Sequence, residues 1–188
     1  IRKNLSELAE SIRYGIRGTS VIESFQNKGD ALRLTVGKDG AQIKIELSPV
    51  LRGTVYAPTV IPVSKDVEEE FGYAEIQVVD FADLYAGKIC AALDRQHPRD
   101  LFDVKMLLDN EGLTENLRKA LLVYIISHNR PISELLRPHF KDIAGLYEGE
   151  FQSMAHIEVP LSELETTREN LVDLVNSSIT KQERQFLL

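Results

Sequence analysis

One stretch of the chain concentrates groups able to do chemistry. Lys88, Arg95 and Arg99 stand beside Asp94, Asp100 and Asp103, within Lys88-Ile-Cys-Ala-Ala-Leu-Asp-Arg-Gln-His-Pro-Arg-Asp-Leu-Phe-Asp103. Lysine and arginine hold phosphate oxygens, arginine through a planar fork and lysine as a point charge. Carboxylates beside them either bind a metal ion or fix the cations in place. Lys88 lies among Ala86, Gly87, Ala91 and Ala92, small residues that let another element or a phosphate approach closely. The alternative is plainer: an exposed helix lysine, with Arg99 and Asp103 forming a surface pair at i, i+4. If His97 caps a helix beginning at Pro98, Asp100 falls at its third position, where the helix dipole favours a carboxylate.

A second candidate is Glu46, on the alternating segment Ala41 to Leu47. Period two puts Gln42, Lys44 and Glu46 on one face and the isoleucines on the other. On pattern alone Glu46 belongs to a solvated face, where it could simply pair with Lys44. The four histidines, at 97, 128, 139 and 156, form no His-x-x-x-His pair, which argues against zinc. Cys90 is the single cysteine and sits in an apolar helical pattern, so it reads as a small core residue, with no intramolecular disulfide available.

The elements that must position these groups follow from periodicity and punctuation. Leu5, Leu8 and Ile12 mark a helix over 1–14, and Val21 to Phe25 a strand. Ala31 to Val36, the turn Gly37-Lys-Asp-Gly40 and Ala41 to Leu47 form a hairpin, ended by Ser48-Pro49. Residues 52–72, with Gly53, Pro58, Pro62 and the solvated run Glu68-Glu-Glu70, read as a long exposed connection. A third strand follows at Glu75 to Val79. Asp80 then caps a helix running to about Leu93, with Asp83 in the place of a capping-box partner and Leu84, Ile89 and Leu93 as core candidates. Pro98 opens a second helix that Gly112 stops. Helical segments over 114–128, 131–137, 139–148 and 162–187 complete the chain. The class is α+β, a small mixed sheet followed by a helical half, divided as 1–110 and 111–188.

Length and charge set bounds. The 188 residues suffice for one domain or a compact lobe with a helical extension. A net charge of −7 argues against a non-specific nucleic-acid coat while leaving room for a local basic pocket. No apolar run approaches the ~20 residues of a membrane span, and no secretory signal is visible, so a cytoplasmic location is expected.

Three segments together resemble the AbiEii-type nucleotidyltransferases, the toxin half of many bacterial type IV toxin–antitoxin pairs. They are Ala41-Gln-Ile-Lys-Ile-Glu-Leu-Ser-Pro-Val-Leu-Arg-Gly53, Val79-Asp-Phe-Ala-Asp-Leu-Tyr-Ala-Gly-Lys88 and Ala91-Ala-Leu-Asp-Arg-Gln-His-Pro-Arg-Asp-Leu-Phe-Asp-Val104. The resemblance implies a nucleotidyltransferase core acting with Mg²⁺ and a nucleoside triphosphate, in toxin–antitoxin or phage-defence systems. It places Glu46 as the third metal-binding carboxylate and Lys88 on the triphosphate. Arg95 and Arg99 hold nucleotide, and Arg99, Asp100 and Asp103 form the Arg-Asp-x-x-Asp element that closes the pocket. The implied acceptor is RNA, above all tRNA, or a protein hydroxyl, and a cognate antitoxin is the implied partner.

Relatives carry Gly-Gly or Gly-Ser followed by Asp-x-Asp, and none of the 188 residues provides it. The chain is therefore expected to represent the C-terminal two-thirds of such an enzyme, inactive alone. Two other readings are a degenerate relative that binds nucleotide or a partner without chemistry, and a two-metal nuclease built on Glu46. The nuclease fits poorly, because such sites place a lysine just after the strand acid, whereas here Lys44 precedes Glu46 and Ser48 follows.

Overall fold

The structure, a computed structural model, describes residues 2–25, 32–47 and 53–187. The chain packs as two compact units, residues 1–53 and 54–188. This packing boundary is a different partition from the 1–110 and 111–188 division expected from sequence. It groups the helices that carry Lys88 and Asp103 with the C-terminal helices.

In the first unit, helix α1 (Arg2–Gly15) precedes an antiparallel meander of β1 (Ser20–Phe25), β2 (Leu32–Lys38) and β3 (Ala41–Leu47). The β2–β3 turn is two residues, Asp39 (φ 50°) and Gly40 (φ 83°). Positive φ at both central positions matches the right-handed twist of the flanking strands. Gly37, expected in the turn, instead pairs within the strand, where a β-carbon would come 2.8 Å from Ser20 Oγ. Val21, Leu34 and Ile45 share one sheet face and pack with Leu5 and Ala9 of α1. Leu8, expected in that stripe, is exposed, and Ala9 takes its place. Glu23 joins helix to sheet, accepting from Ser6 Oγ (3.0 Å) and Arg13 Nη2 (3.1 Å). The strand end expected at Ser48-Pro49 and the start at Ala31 lie outside the described residues.

In the second unit, the segment read as a connection carries structure of its own. β4 (Thr59–Pro62) pairs antiparallel with β5 (Glu75–Val78), and α2 (Lys65–Phe71) lies between them in sequence. Ser64 Oγ accepts the Val67 N–H, Asp66 and Glu68 occupy the first turn, and Gly72 ends the helix at φ 89°. Glu68, Glu69 and Glu70 are thus solvated helix residues, not loop. The remaining helices are α3 (Phe81–Arg95), α4 (Pro98–Asn110), α5 (Glu115–Ile126), α6 (Ile132–Leu136), α7 (Ala144–Glu150), α8 (Leu161–Ser178) and α9 (Lys181–Leu187).

Helix α3 is central. Ala86, Ile89, Cys90 and Leu93 are buried among Leu101, Leu117, Leu121, Ile125 and Leu164 of the surrounding helices. Each such leucine or isoleucine contributes about 1.5–3 kcal/mol by leaving water. Leu84, expected in this core, is exposed. A β-carbon at Gly87 would stand 3.5 Å from Tyr124 Cε1 of α5, ordinary van der Waals contact, so the approach of the two helices does not require the glycine. Among the described residues no helix is long and apolar enough to cross a membrane.

The helix expected over 162–187 is two, broken at Ile179. Thr180 and Glu183 then form a capping box: Glu183 Oε2 accepts the Thr180 N–H at 2.8 Å, and Thr180 Oγ1 the Glu183 N–H at 3.2 Å. That backbone bond, with further help from Arg118, holds the Glu183 carboxyl below the usual carboxylate range. A depressed folded-state value means the stabilisation is complete above the unfolded glutamate range, about pH 4.5, and is lost as pH falls through the lower folded value. The protection factors of the residue 181–187 amides, which divide out the intrinsic pH dependence of exchange, are therefore expected to fall below about pH 4.5. Glu183→Gln, which can still accept the Thr180 N–H but does not titrate, should show no such fall; identical protection profiles for the two proteins would rule out the capping role.

Candidate functional site

The turn between α3 and α4 builds the site. α3 ends at Arg95, Gln96 turns left-handed (φ 56°, ψ 36°), and His97 is extended (φ −77°, ψ 139°) as the N-cap of α4. His97 Nδ1 accepts the Arg99 N–H at 3.2 Å, and its carbonyl accepts the Asp100 and Leu101 N–H groups. Pro98 at the first position needs no N–H partner. Asp100 takes the third helical position, as the spacing predicts.

This geometry brings Arg95, His97, Arg99 and Asp100 around one cavity of about 290 Å³. Asp100 is mostly buried and fixes Arg95: its Oδ1 accepts from Nη2 at 2.8 Å. Its Oδ2 lies 2.8 Å from Arg95 Nε, out of line for a hydrogen bond, and is shielded from solvent without another partner. The Arg95 side chain remains 65% exposed, so donors not turned toward Asp100 face outward. Arg99 is half exposed, with Nη2 3.6 Å from Glu150 Oε2. His97 Nε2 is 3.3 Å from the same oxygen. Since Nδ1 accepts at the cap, the tautomer consistent with both contacts carries its proton on Nε2. Two guanidinium groups, one of them oriented by a carboxylate, make a place for an anion with several oxygens, while the first-turn N–H groups of α4 are already bonded to His97.

Lys88 and Asp103 form a separate pair bridging α3 and α4, Nζ to Oδ2 2.5 Å, each about one-third exposed. The i, i+4 pairing of Arg99 with Asp103 is therefore replaced by two other contacts. Asp94 turns away from the cavity and binds Arg130 Nε at 2.5 Å, with His128 at 3.8 Å. Lys141 Nζ reaches the Asp94 carbonyl at 3.1 Å, a cation at the C-terminal end of α3.

Glu46 stands in the first unit, on the sheet face opposite α1. Its partner is Arg33 at 2.5 Å, not Lys44, and both side chains are about half exposed. The register explains the exchange: Arg33 lies directly opposite Glu46, whereas Lys44 opposes Thr35. Among the described residues no three histidine, cysteine or acidic side chains come together to hold a metal ion, so they do not complete a Mg²⁺ site. Glu46→Gln is expected to change unfolding free energy by less than about 1 kcal/mol, as for other exposed pairs. A larger loss in urea titration would make Glu46 a structural residue.

Two residues at the cavity, and one buried carboxylate away from it, escaped the sequence reading. His97 was seen only as a cap, and Glu150 gave no local signal, being some fifty positions away. Asp83, expected to reach back as a capping-box partner, is instead buried and accepts the N–H groups of Val55 (2.7 Å) and Tyr56 (2.8 Å) and the Tyr124 hydroxyl (3.0 Å). A carboxylate beside Ala82 and Ala86 on the apolar face of α3 was the available clue.

Comparison with known proteins agrees with this architecture. The family model described as "Nucleotidyl transferase AbiEii toxin, Type IV TA system" matches residues 1–186. Among solved structures, the chain is similar to MenT4, the nucleotidyltransferase toxin Rv2826c from Mycobacterium tuberculosis H37Rv. The TM-score is 0.65 and the identity 15%, covering 100% of this chain and 68% of that chain, a likeness of fold. No curated protein matches the chain. With an α+β fold of the nucleotidyltransferase-toxin type and a family match along almost its whole length, the chain belongs to the AbiEii nucleotidyltransferase toxin family of type IV toxin–antitoxin systems.

Proposed function

We propose that the protein transfers a nucleoside monophosphate from a nucleoside triphosphate to an RNA hydroxyl, with tRNA as the acceptor, and acts as a toxin in the cytoplasm opposite a cognate antitoxin. The observation carrying this reading is the cavity lined by Arg95, His97, Arg99 and Asp100 at the α4 N-terminus. Arg95 and Arg99 would hold phosphate oxygens there, and Asp100 would orient Arg95. Lys88 would offer a point charge to the triphosphate, with Asp103 fixing it. Both carboxylates already serve cations, which suits positioning better than proton transfer. Glu46 is proposed as one carboxylate toward Mg²⁺, which when bound would shield phosphate charge; no step is derived through the ion.

Labelled triphosphates incubated with the full-length protein, a tRNA pool and Mg²⁺ test the reading. Label should enter tRNA, and chelation or Glu46→Ala should abolish transfer while the fold persists. One rival is a non-catalytic nucleotide-binding relative, which a sequence upstream of Ile1 lacking Asp-x-Asp would favour. Saturable nucleotide binding without transfer to any acceptor would establish that rival instead.

A further inference from the structure

The turn carrying the cavity is held from behind by an unusual pair. Gln96 is 1% exposed and adopts the left-handed conformation that favours glycine or asparagine. Its side-chain amide is used at both ends. Nε2 donates to the His139 carbonyl at 2.9 Å, and Oε1 accepts the Lys141 N–H at 3.0 Å and Arg168 Nη1 at 3.2 Å. Arg168, on α8, is buried, donates also to the Lys141 carbonyl at 2.8 Å, and lies 4.6 Å over the Phe140 ring. Its Nε is shielded from solvent without a hydrogen-bond partner, and among the described residues no ion pair neutralises it.

Neither feature is what packing alone would select. A buried guanidinium without a counter-ion is less favourable than an apolar side chain of similar volume. A left-handed glutamine is more strained than a glycine at the same place. Both unfavourable features meet at one residue, between Arg95 and His97 on the cavity rim. A glutamate there could not donate to the His139 carbonyl, which accounts for a neutral amide facing a charged arginine. Features retained against local stability point to what the turn presents.

We infer that Gln96 and Arg168 are positioning residues of the anion cavity, locking the α3–α4 turn so that Arg95 and His97 face it together. Through them α8, seventy positions further along, sets the geometry of the site. The inference rests on the phosphate reading of that cavity.

The test uses the full-length protein with Gln96→Gly, which allows the left-handed backbone but removes the amide, and Arg168→Met, which keeps volume. Arg168→Lys serves as the charge-retaining comparison. Inorganic tripolyphosphate affinity is measured by calorimetry, and the His97 tautomer by ¹⁵N imidazole shifts. Gln96→Gly and Arg168→Met are expected to weaken tripolyphosphate at least tenfold and to replace the single Nε2–H form of His97 with a tautomer mixture. Arg168→Lys, which keeps the charge but not the planar fork over Phe140, should recover only part of the affinity lost by Arg168→Met. A purely structural role would lower the melting temperature without moving the His97 signal. Folded variants with affinity and His97 signals within twofold of the unsubstituted protein would overturn the inference alone. An unsubstituted protein that binds no tripolyphosphate would overturn the phosphate reading, and the inference with it.

Discussion

In labelled-nucleotide transfer by the full-length protein, Lys88→Ala is expected to lower the rate at least about a hundredfold, the loss typical of removing one charge-stabilising group from a transfer site. The fold should barely notice. Lys88 and Asp103 are each about one-third exposed, so their 2.5 Å pair is worth at most about 1 kcal/mol to stability once solvent screening is allowed for. The large kinetic effect and small stability effect separate a phosphate-holding lysine from an interhelical ion pair. Asp103→Ala should be milder, because it frees Lys88 without removing its charge. A Lys88→Ala protein that transfers nucleotide at an unchanged rate would reduce the residue to the second role.

The largest structural loss is expected from Asp83→Ala. Its carboxylate takes two backbone N–H groups and the Tyr124 hydroxyl in a nearly dry setting. Removing it strands several donors at once, and about 3 kcal/mol of unfolding free energy should go, from the ~1–3 kcal/mol of each unsatisfied buried group. Asp83→Asn should fall between, since an amide accepts through one oxygen and turns donors toward one of the backbone N–H groups. Urea denaturation with amide exchange at Val55 and Tyr56 checks both. A loss below about 0.5 kcal/mol, with exchange unchanged, would mean that other contacts hold residues 55–56.

What the sequence revealed was local. Asp39-Gly40 dictates its hairpin turn through positive φ, Asp80 caps α3 at 2.8 Å from the Ala82 N–H, and Pro98 after His97 starts α4 with Asp100 at its third position. These signals lie within a few residues of what they control, so the cavity could be anticipated from Arg95, Arg99 and Asp100. The partners could not. Glu150 meets His97 and Arg99 from α7, and Arg168 meets Gln96 from α8, contacts set by helix packing rather than by nearby spacing. Lys44 looked like the partner of Glu46 because period two places them on one face; register decided for Arg33. β4 and α2 were hidden by Pro58 and Pro62, which read as loop although Thr59–Pro62 pairs with Glu75–Val78, the strand legible from its own residues. The break at Ile179 was masked by continuous amphipathic spacing on both sides.

Arginine Nε–H and backbone amide resonances followed during titration with inorganic tripolyphosphate test the central claim most directly. The Arg95 and Arg99 Nε–H signals and the Arg99 and Asp100 amides should shift together and saturate, because these groups line the cavity at the start of α4. Saturable shifts centred on other groups, with none at Arg95 and Arg99, would contradict it.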